Sequence, residues 1–138
     1  MSAPDLQAEG GCLCGAVRYR VTGEAVAATL CHCQSCRRAT GGVSVAWAVF
    51  DKRHVTLTSG TVREYSSSPG IHWGSCATCG SLVTYRRSTR PDHLDITTAT
   101  LDEPGAFPPT VEIRVGEKCA WEVLNPDLPH KPRSSLNE

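Results

Sequence analysis

Hydrophobic and polar residues alternate with a period of two along much of this chain. Val17, Tyr19 and Val21 alternate with polar residues, and this pattern is typical of a half-buried β-strand. Glycine and proline separate further runs of this kind. The pattern therefore predicts a mainly β protein with antiparallel sheets, its other strands lying at 43–49, 55–57, 61–65, 82–86, 94–98, 111–115 and 121–124.

Little helix is expected. No stretch of ten or more residues carries a convincing apolar stripe with a period of 3.6 residues. One helical turn is predicted at Gln34–Thr40, because no helix breaker occurs there before Gly41 and Gly42. A length of 138 residues suits one domain. We expect this domain to span 6–128, with loose polar ends at 1–5 and 129–138.

Charge and hydropathy exclude several classes of function. Fourteen basic and fourteen acidic residues cancel, which argues against a dedicated nucleic-acid-binding protein. No apolar run approaches the roughly 20 residues needed to cross a bilayer. The first residues do not resemble a signal peptide. These features predict a cytoplasmic protein whose thiols stay reduced and are able to bind metal.

Cysteines carry the strongest chemical signal. Seven of the eight fall into three short clusters, and thiolates at such spacing are typical zinc ligands. One closed four-sulfur site leaves three cysteines, and three protein ligands with an open position are typical of a catalytic zinc. The clusters are Cys12 with Cys14, then Cys31, Cys33 and Cys36 (the cysteine triplet), and finally Cys76 with Cys79.

Cys76 and Cys79 form a C-x-x-C knuckle followed by Gly80. A redox dithiol is the alternative, but that motif belongs in a βαβ unit, which this chain does not predict. Cys12 and Cys14 are separated by one residue, so in an extended strand both sulfurs point to one face, about 6.5 Å apart along the chain. The two pairs together are credible metal ligands.

The fourth ligand of the triplet is left open by the sequence. His32 lies between two triplet cysteines and is expected to point to the opposite face of an extended strand. A structural site closed by Cys119 or by a histidine is the alternative to an open position. Cys119 has no cysteine nearby and is predicted to be buried and unliganded. The histidines that remain possible are His54, His72 and His93.

Three motifs in order resemble the glutathione-dependent formaldehyde-activating enzyme family, which includes the centromere protein V relatives. They are GCLCGAVRY at 11–19, CHCQSCRR at 31–38 and CATCG at 76–80. The resemblance extends over about 11–124 and implies a β-rich fold stapled by two zinc ions. It implies a structural zinc held by Cys12, Cys14, Cys76 and Cys79, and a catalytic-type zinc held by Cys31, Cys33 and Cys36.

The family resemblance also implies a reaction. Its members are carbon–sulfur lyases that join glutathione and formaldehyde into S-hydroxymethylglutathione, so the expected partners are a small-molecule thiol and an aldehyde. Zinc with three thiolate ligands acidifies water less than zinc held by histidines. A substrate thiol, bound as its thiolate, is the more suitable fourth ligand.

Substrate contacts are predicted less directly. Arg37 and Arg38 follow the triplet and could clamp a carboxylate of the substrate, although a solvated surface pair is an equal alternative. Trp73 could form a wall of the pocket, whereas Trp47 at strand spacing is expected in the core. His32 could relay a proton or only hydrogen-bond the backbone. Two other functions stay open: a non-catalytic two-zinc interaction domain, and a metal or redox sensor.

Overall fold

Ten β-strands and one α-helix make up the part of the chain that the computed structural model describes, residues 7–134. The remaining segments are turns and short 3-10 helices. The elements are β1 (Gln7–Gly11), β2 (Arg18–Thr22), β3 (Ala27–Cys31), α1 (Gln34–Thr40), β4 (Val45–Asp51), β5 (Val55–Ser59), β6 (Val62–Ser68), β7 (Ile71–Cys76), β8 (Leu82–Arg87), β9 (His93–Thr97) and β10 (Val111–Ile113).

The strands form two sheets. A three-stranded sheet has the order β1-β2-β5, and a seven-stranded sheet has the order β10-β3-β4-β9-β8-β7-β6. Neighbouring strands are antiparallel except for β10, which pairs with β3 in parallel. The predicted mainly β, antiparallel architecture is confirmed, with this one parallel pair added.

The central strand β4 shows why the large sheet has two different faces. Alternate side chains of a strand point to opposite sides. Ala48 and Phe50 face the small sheet and are fully buried with residues of β2 and β9. Trp47 points to the other side and packs with Trp73 and the triplet. The core between the sheets consists of Val17, Tyr19, Val21, Ala48, Phe50, Cys76, Val83, Ile96 and Leu101.

Most of the elements predicted from alternation are present. The strand predicted around Val17–Val21 is β2, and six other predicted strands correspond to β4, β5, β6, β8, β9 and β10 with small shifts of their ends. The helix at Gln34–Thr40 is also confirmed. Its C-terminal residue is capped by Gly41, whose φ of 77° is left-handed and whose N–H donates to the Arg37 carbonyl at 2.7 Å.

The strand predicted at 121–124 is wrong. This stretch is irregular, and its apolar side chains are 70% (Trp121) and 86% (Val123) exposed. Two alternating apolar residues resemble a strand, but no neighbouring strand pairs with them. The sequence also failed to predict β1, β3 and β7. These strands are rich in alanine, glycine and polar residues, so their own side chains carry little β signal.

The C-terminal stretch also differs from expectation. It was expected to be loose from Pro129, yet 129–133 runs beside β10. The Pro129 carbonyl accepts the N–H of Glu112 at 3.0 Å, and the N–H of Lys131 donates to the Glu112 carbonyl at 2.9 Å. The other predicted loose end, 1–5, lies outside the described residues. Within 7–134, no helix has the length and apolar character to span a bilayer.

The inter-sheet core gives a first testable prediction. Ile96 is fully buried between the two sheets, so Ile96→Ala leaves a cavity there. We expect the free energy of unfolding to fall by about 2–5 kcal/mol. Val123→Ala, at an exposed position, should change it by less than about 0.5 kcal/mol. Urea denaturation of both variants measures the difference, and equal stabilities would contradict this packing.

Candidate metal centres

Four cysteines from two distant turns meet at one end of the molecule. Cys12 and Cys14 lie in the turn between β1 and β2, and Cys76 and Cys79 flank the turn between β7 and β8. Their sulfur atoms all lie within 4.8 Å of one another. The Cys12–Cys14 and Cys14–Cys76 sulfur separations are 3.6 and 3.9 Å. A tetrahedral zinc with bonds of about 2.3 Å requires about 3.8 Å, so this knuckle cluster fits such an ion.

Backbone N–H groups surround the sulfurs of the knuckle cluster. Val17 donates its N–H to Cys12 Sγ at 3.2 Å, and Thr78 donates to Cys76 Sγ at 3.3 Å. The hydroxyl of Ser81 lies 3.2 Å from Cys79 Sγ and accepts the N–H of Leu13 at 3.1 Å. These hydrogen bonds stabilise negatively charged sulfur and connect the two turns.

The cysteine triplet is assembled by one local segment. Cys31 ends β3, and Cys33 caps the N-terminus of α1 by accepting the N–H of Cys36 on its sulfur at 3.1 Å. All three sulfurs lie within 4.8 Å of one another. The Cys33–Cys36 sulfurs are 2.9 Å apart, shorter than the roughly 3.8 Å that a tetrahedral zinc sets. The residue types and their convergence fit a metal site that offers three protein ligands.

Crowded thiols cannot all ionise at the same pH. Hydrogen bonding with Cys31 and Cys36 lowers the pKa of Cys33 to about 3, while hydrogen bonding with Cys33 raises the pKa of Cys31 to about 12. In the knuckle cluster the hydrogen bond with Ser81 lowers the pKa of Cys79 to about 5. In each group some thiols are thus favoured as thiolates at the expense of their neighbours, and a bound cation would favour the thiolate form of all of them.

A cavity of about 320 Å³ opens beside the triplet. All three triplet cysteines line it, whereas no cysteine of the knuckle cluster does. Trp47, Trp73 and Tyr85 form its aromatic side, with ring centroids 4.7 to 6.3 Å apart. The Trp73 indole N–H donates to the Ser67 hydroxyl at 2.9 Å. The triplet therefore faces a space that a small molecule can enter.

Charged side chains line the rest of this triplet cavity. Arg90 pairs with the buried Asp95 at 3.3 Å, and Arg114 pairs with Glu117 at 3.7 Å. Burial raises the pKa of Asp95, although Arg90 opposes this. Arg87 donates to the Tyr85 hydroxyl at 3.2 Å, but its buried Nε has no hydrogen-bond partner among residues 7–134. Arg87 thus brings a positive charge to the wall of the cavity.

The predicted substrate residues lie in different places. Trp73 lines the cavity, and Trp47 is both buried in the core and part of the cavity wall. Arg37 and Arg38 do not line it. Arg37 instead donates to Cys119 Sγ at 3.3 Å, and Cys119 is partly buried and irregular in structure, not in the predicted strand.

The histidines do not complete the triplet. Among residues 7–134, neither group of converging metal-binding side chains contains a histidine, so His54, His72 and His93 stay outside both. His32 points away from the cavity, as the strand periodicity predicted, and is fully buried against Glu112. The corner of the triplet that faces the cavity thus has no histidine or further cysteine near it.

Sequence reasoning missed the polar residues of the cavity. Tyr85 and Asp95 are cross-strand partners on β8 and β9, so they share one face of the sheet. Arg87 lies two residues beyond Tyr85 on the same strand. The alternating residues of β8 indicated a strand, but they did not indicate that β9 is its neighbour in the sheet. The register that brings these side chains to the triplet was therefore not readable from the sequence.

Comparisons with known proteins show the family of this chain. The profile of the family described as glutathione-dependent formaldehyde-activating enzyme matches residues 7–117, a span that contains both cysteine groups. The chain belongs to this family. A crystal structure of a Rhodobacter sphaeroides protein, solved as a structural genomics target, is 26% identical and has a TM-score of 0.58. The match covers 68% of this chain and 87% of that one.

No functionally curated protein matches the chain significantly. The family match alone supports the general activity, which is glutathione-dependent activation of formaldehyde. The residues that the chain uses for this activity have to be inferred from its own structure.

The two cysteine groups should lose metal independently. We expect Cys14→Ser to abolish binding at the knuckle cluster and lower the melting temperature, because a metal that joins distant turns stabilises the fold. Cys33→Ser should remove the other ion with a smaller effect on melting. Cys119→Ser is the matched control and should keep both metal ions. Elemental analysis with thermal unfolding checks this, and loss of both ions in Cys33→Ser would contradict independent sites.

Proposed function

We propose that this protein is a zinc-dependent carbon–sulfur lyase that acts on a thiol–aldehyde adduct of the S-hydroxymethylglutathione type. One observation carries the proposal: the cysteine triplet offers only three converging sulfurs, all of which line one cavity, whereas the knuckle cluster supplies four. A metal with three protein ligands and access to a cavity is arranged for catalysis, and a metal enclosed by four cysteines is arranged for structure.

Two zinc ions are the cofactors in this proposal. Cys12, Cys14, Cys76 and Cys79 would hold the structural ion, and Cys31, Cys33 and Cys36 would hold the catalytic one. When bound at the triplet, zinc supplies a position where the sulfur of the substrate is held as a thiolate. All eight cysteines are free thiols, which suits a reducing compartment such as the cytoplasm.

The side chains of the cavity would orient the adduct and exclude water. The aromatic side formed by Trp47, Trp73 and Tyr85 shields the reacting carbon from solvent. Cleavage breaks the carbon–sulfur bond, leaves the electron pair on sulfur and releases the hydroxyl proton as the carbonyl forms. We assign that proton to Asp95, because its carboxylate lines the cavity and burial raises its pKa.

Activity of a triplet variant tests the proposal directly. We expect Cys33→Ser to reduce the exchange between glutathione, formaldehyde and their adduct to near the uncatalysed rate, because serine is a poor zinc ligand. Exchange NMR with ¹³C-labelled formaldehyde measures this rate, with Cys119→Ser as the control. A folded Cys33→Ser protein that retains the wild-type rate would leave the triplet without a catalytic role and favour a non-catalytic zinc domain.

The carboxylate clamp expected at Arg37 and Arg38 is better supplied by Arg87. Its side chain lines the cavity and brings a positive charge to it, whereas Arg38 is exposed and neither Arg37 nor Arg38 lines this cavity. A hydrogen bond to a charged group contributes about 1.5–3 kcal/mol, which corresponds to at least about a tenfold change in KM.

We therefore expect Arg87→Gln to raise KM for glutathione by on the order of tenfold or more. The uncharged thiol 2-mercaptoethanol should be affected much less, since it has no carboxylate. Steady-state kinetics with both thiols measures this, and Arg38→Gln is the matched control. A larger effect of Arg38→Gln than of Arg87→Gln would place the clamp outside the cavity.

A further inference from the structure

We propose that Glu112 is a positioning residue for the cysteine triplet and acts through the imidazole of His32. This inference rests on the proposed function, because it concerns how firmly the triplet holds its metal. Neither residue lines the triplet cavity, and neither belongs to a group of converging metal ligands. Both are nevertheless among the most buried side chains of the molecule, at 0% (His32) and 1% (Glu112) exposure.

His32 makes one side-chain hydrogen bond. Its Nε2 lies 2.7 Å from Oε1 of Glu112, and its Nδ1 is buried without a partner among the described residues. A carboxylate only accepts hydrogen bonds, so Nε2 of His32 carries the proton and donates it. Among the described residues, Glu112 is thus the hydrogen-bond partner that fixes the ring. The backbone N–H of His32 donates to the carbonyl of Ile113, the next residue of β10, at 3.1 Å.

Glu112 is itself fixed from the other side. Its Oε2 accepts the backbone N–H of Asn125 at 2.5 Å and lies 3.5 Å from Nε2 of His130. Its backbone pairs with Pro129 and Lys131 of the C-terminal stretch. Both carboxylate oxygens and both backbone groups of Glu112 are thus engaged. The residue connects the C-terminal stretch to the strand that precedes the triplet.

This connection bears on the metal ligands because His32 separates Cys31 from Cys33. A shift of the imidazole moves the peptide units on both of its sides, and these carry two of the three sulfurs. Cys33 also caps α1, which carries Cys36, so the third sulfur follows the same movement. Partners that orient metal ligands from outside the coordination shell commonly change metal affinity by 10–100-fold when removed.

The pair is not needed for stability alone. A buried pair of hydrogen-bonded polar side chains contributes little net stability compared with apolar side chains of the same shape. Breaking it on one side, however, leaves an unpaired polar group in the core. Because His32 lies between two triplet cysteines, the pair is placed to fix the positions of their sulfurs. Replacing both members of the pair by apolar side chains separates this positioning role from a role in stability.

The test compares Glu112→Gln with the double variant His32→Phe/Glu112→Leu. We expect the zinc of the triplet to dissociate on the order of tenfold faster in both variants, while the zinc of the knuckle cluster dissociates at the wild-type rate. The double variant should fold with a melting temperature lowered only by the loss of the acceptor for the Asn125 N–H, because its apolar side chains fill the space of the buried pair. Glu64→Gln is the matched control, since Glu64 pairs with Arg86 on the exposed surface away from both cysteine groups.

Zinc release to a chromogenic chelator, resolved into a fast and a slow phase, provides the rates. Absorption bands of the cobalt-substituted proteins provide a readout independent of activity. A faster triplet phase and altered cobalt bands, in folded variants whose knuckle-cluster zinc leaves at the wild-type rate, would support the proposal. Two zinc ions released at wild-type rates from both variants would overturn it and leave the proposed function intact. A wild-type protein that binds only one zinc would instead overturn the proposed function.

Discussion

The convergence of cysteine sulfurs from separate parts of the chain is the constraint on which the rest of the structure depends. Cys12 and Cys14 belong to a turn of the three-stranded sheet, and Cys76 and Cys79 belong to a turn of the seven-stranded sheet. Bringing the four sulfurs within 4.8 Å of one another joins the two sheets at one end. Like-charged thiolates repel at this distance, so a bound cation would stabilise both the cluster and the sheet packing.

The two faces of the large sheet have different roles: one packs in the core, and the other carries the candidate site. One face packs against the small sheet through Phe50 and Ile96. The other carries Trp47 and Trp73, the triplet and its cavity. Other residues build the knuckle cluster and the inter-sheet core. The triplet is therefore not needed to join the two sheets, and its sulfurs can face the cavity. Its geometry is supported instead by α1 and by the buried pair of His32 and Glu112.

The sequence predicted what depends on local pattern. Alternation indicated seven of the strands, and the glycines after Thr40 indicated the end of α1. The spacing of the cysteines indicated metal binding, and the family resemblance implied which cysteines belong to each of the two groups. Features that depend on strand register were not predictable. Asp95 reaches the cavity through its pairing with Tyr85 on β8, and Glu112 reaches His32 through the parallel pairing of β10 with β3. The strand expected at Trp121 failed for the same reason, because alternation does not reveal whether a partner strand exists.

Cadmium-113 NMR of the cadmium-loaded protein, titrated with glutathione, tests the central claim most directly, because its signal reports the ligands of each ion. The account predicts two resonances, of which the one from the cysteine triplet moves as a fourth sulfur joins the ion, while that of the knuckle cluster stays unchanged. A single resonance, or two that both ignore the added thiol, would contradict an open metal site at the triplet.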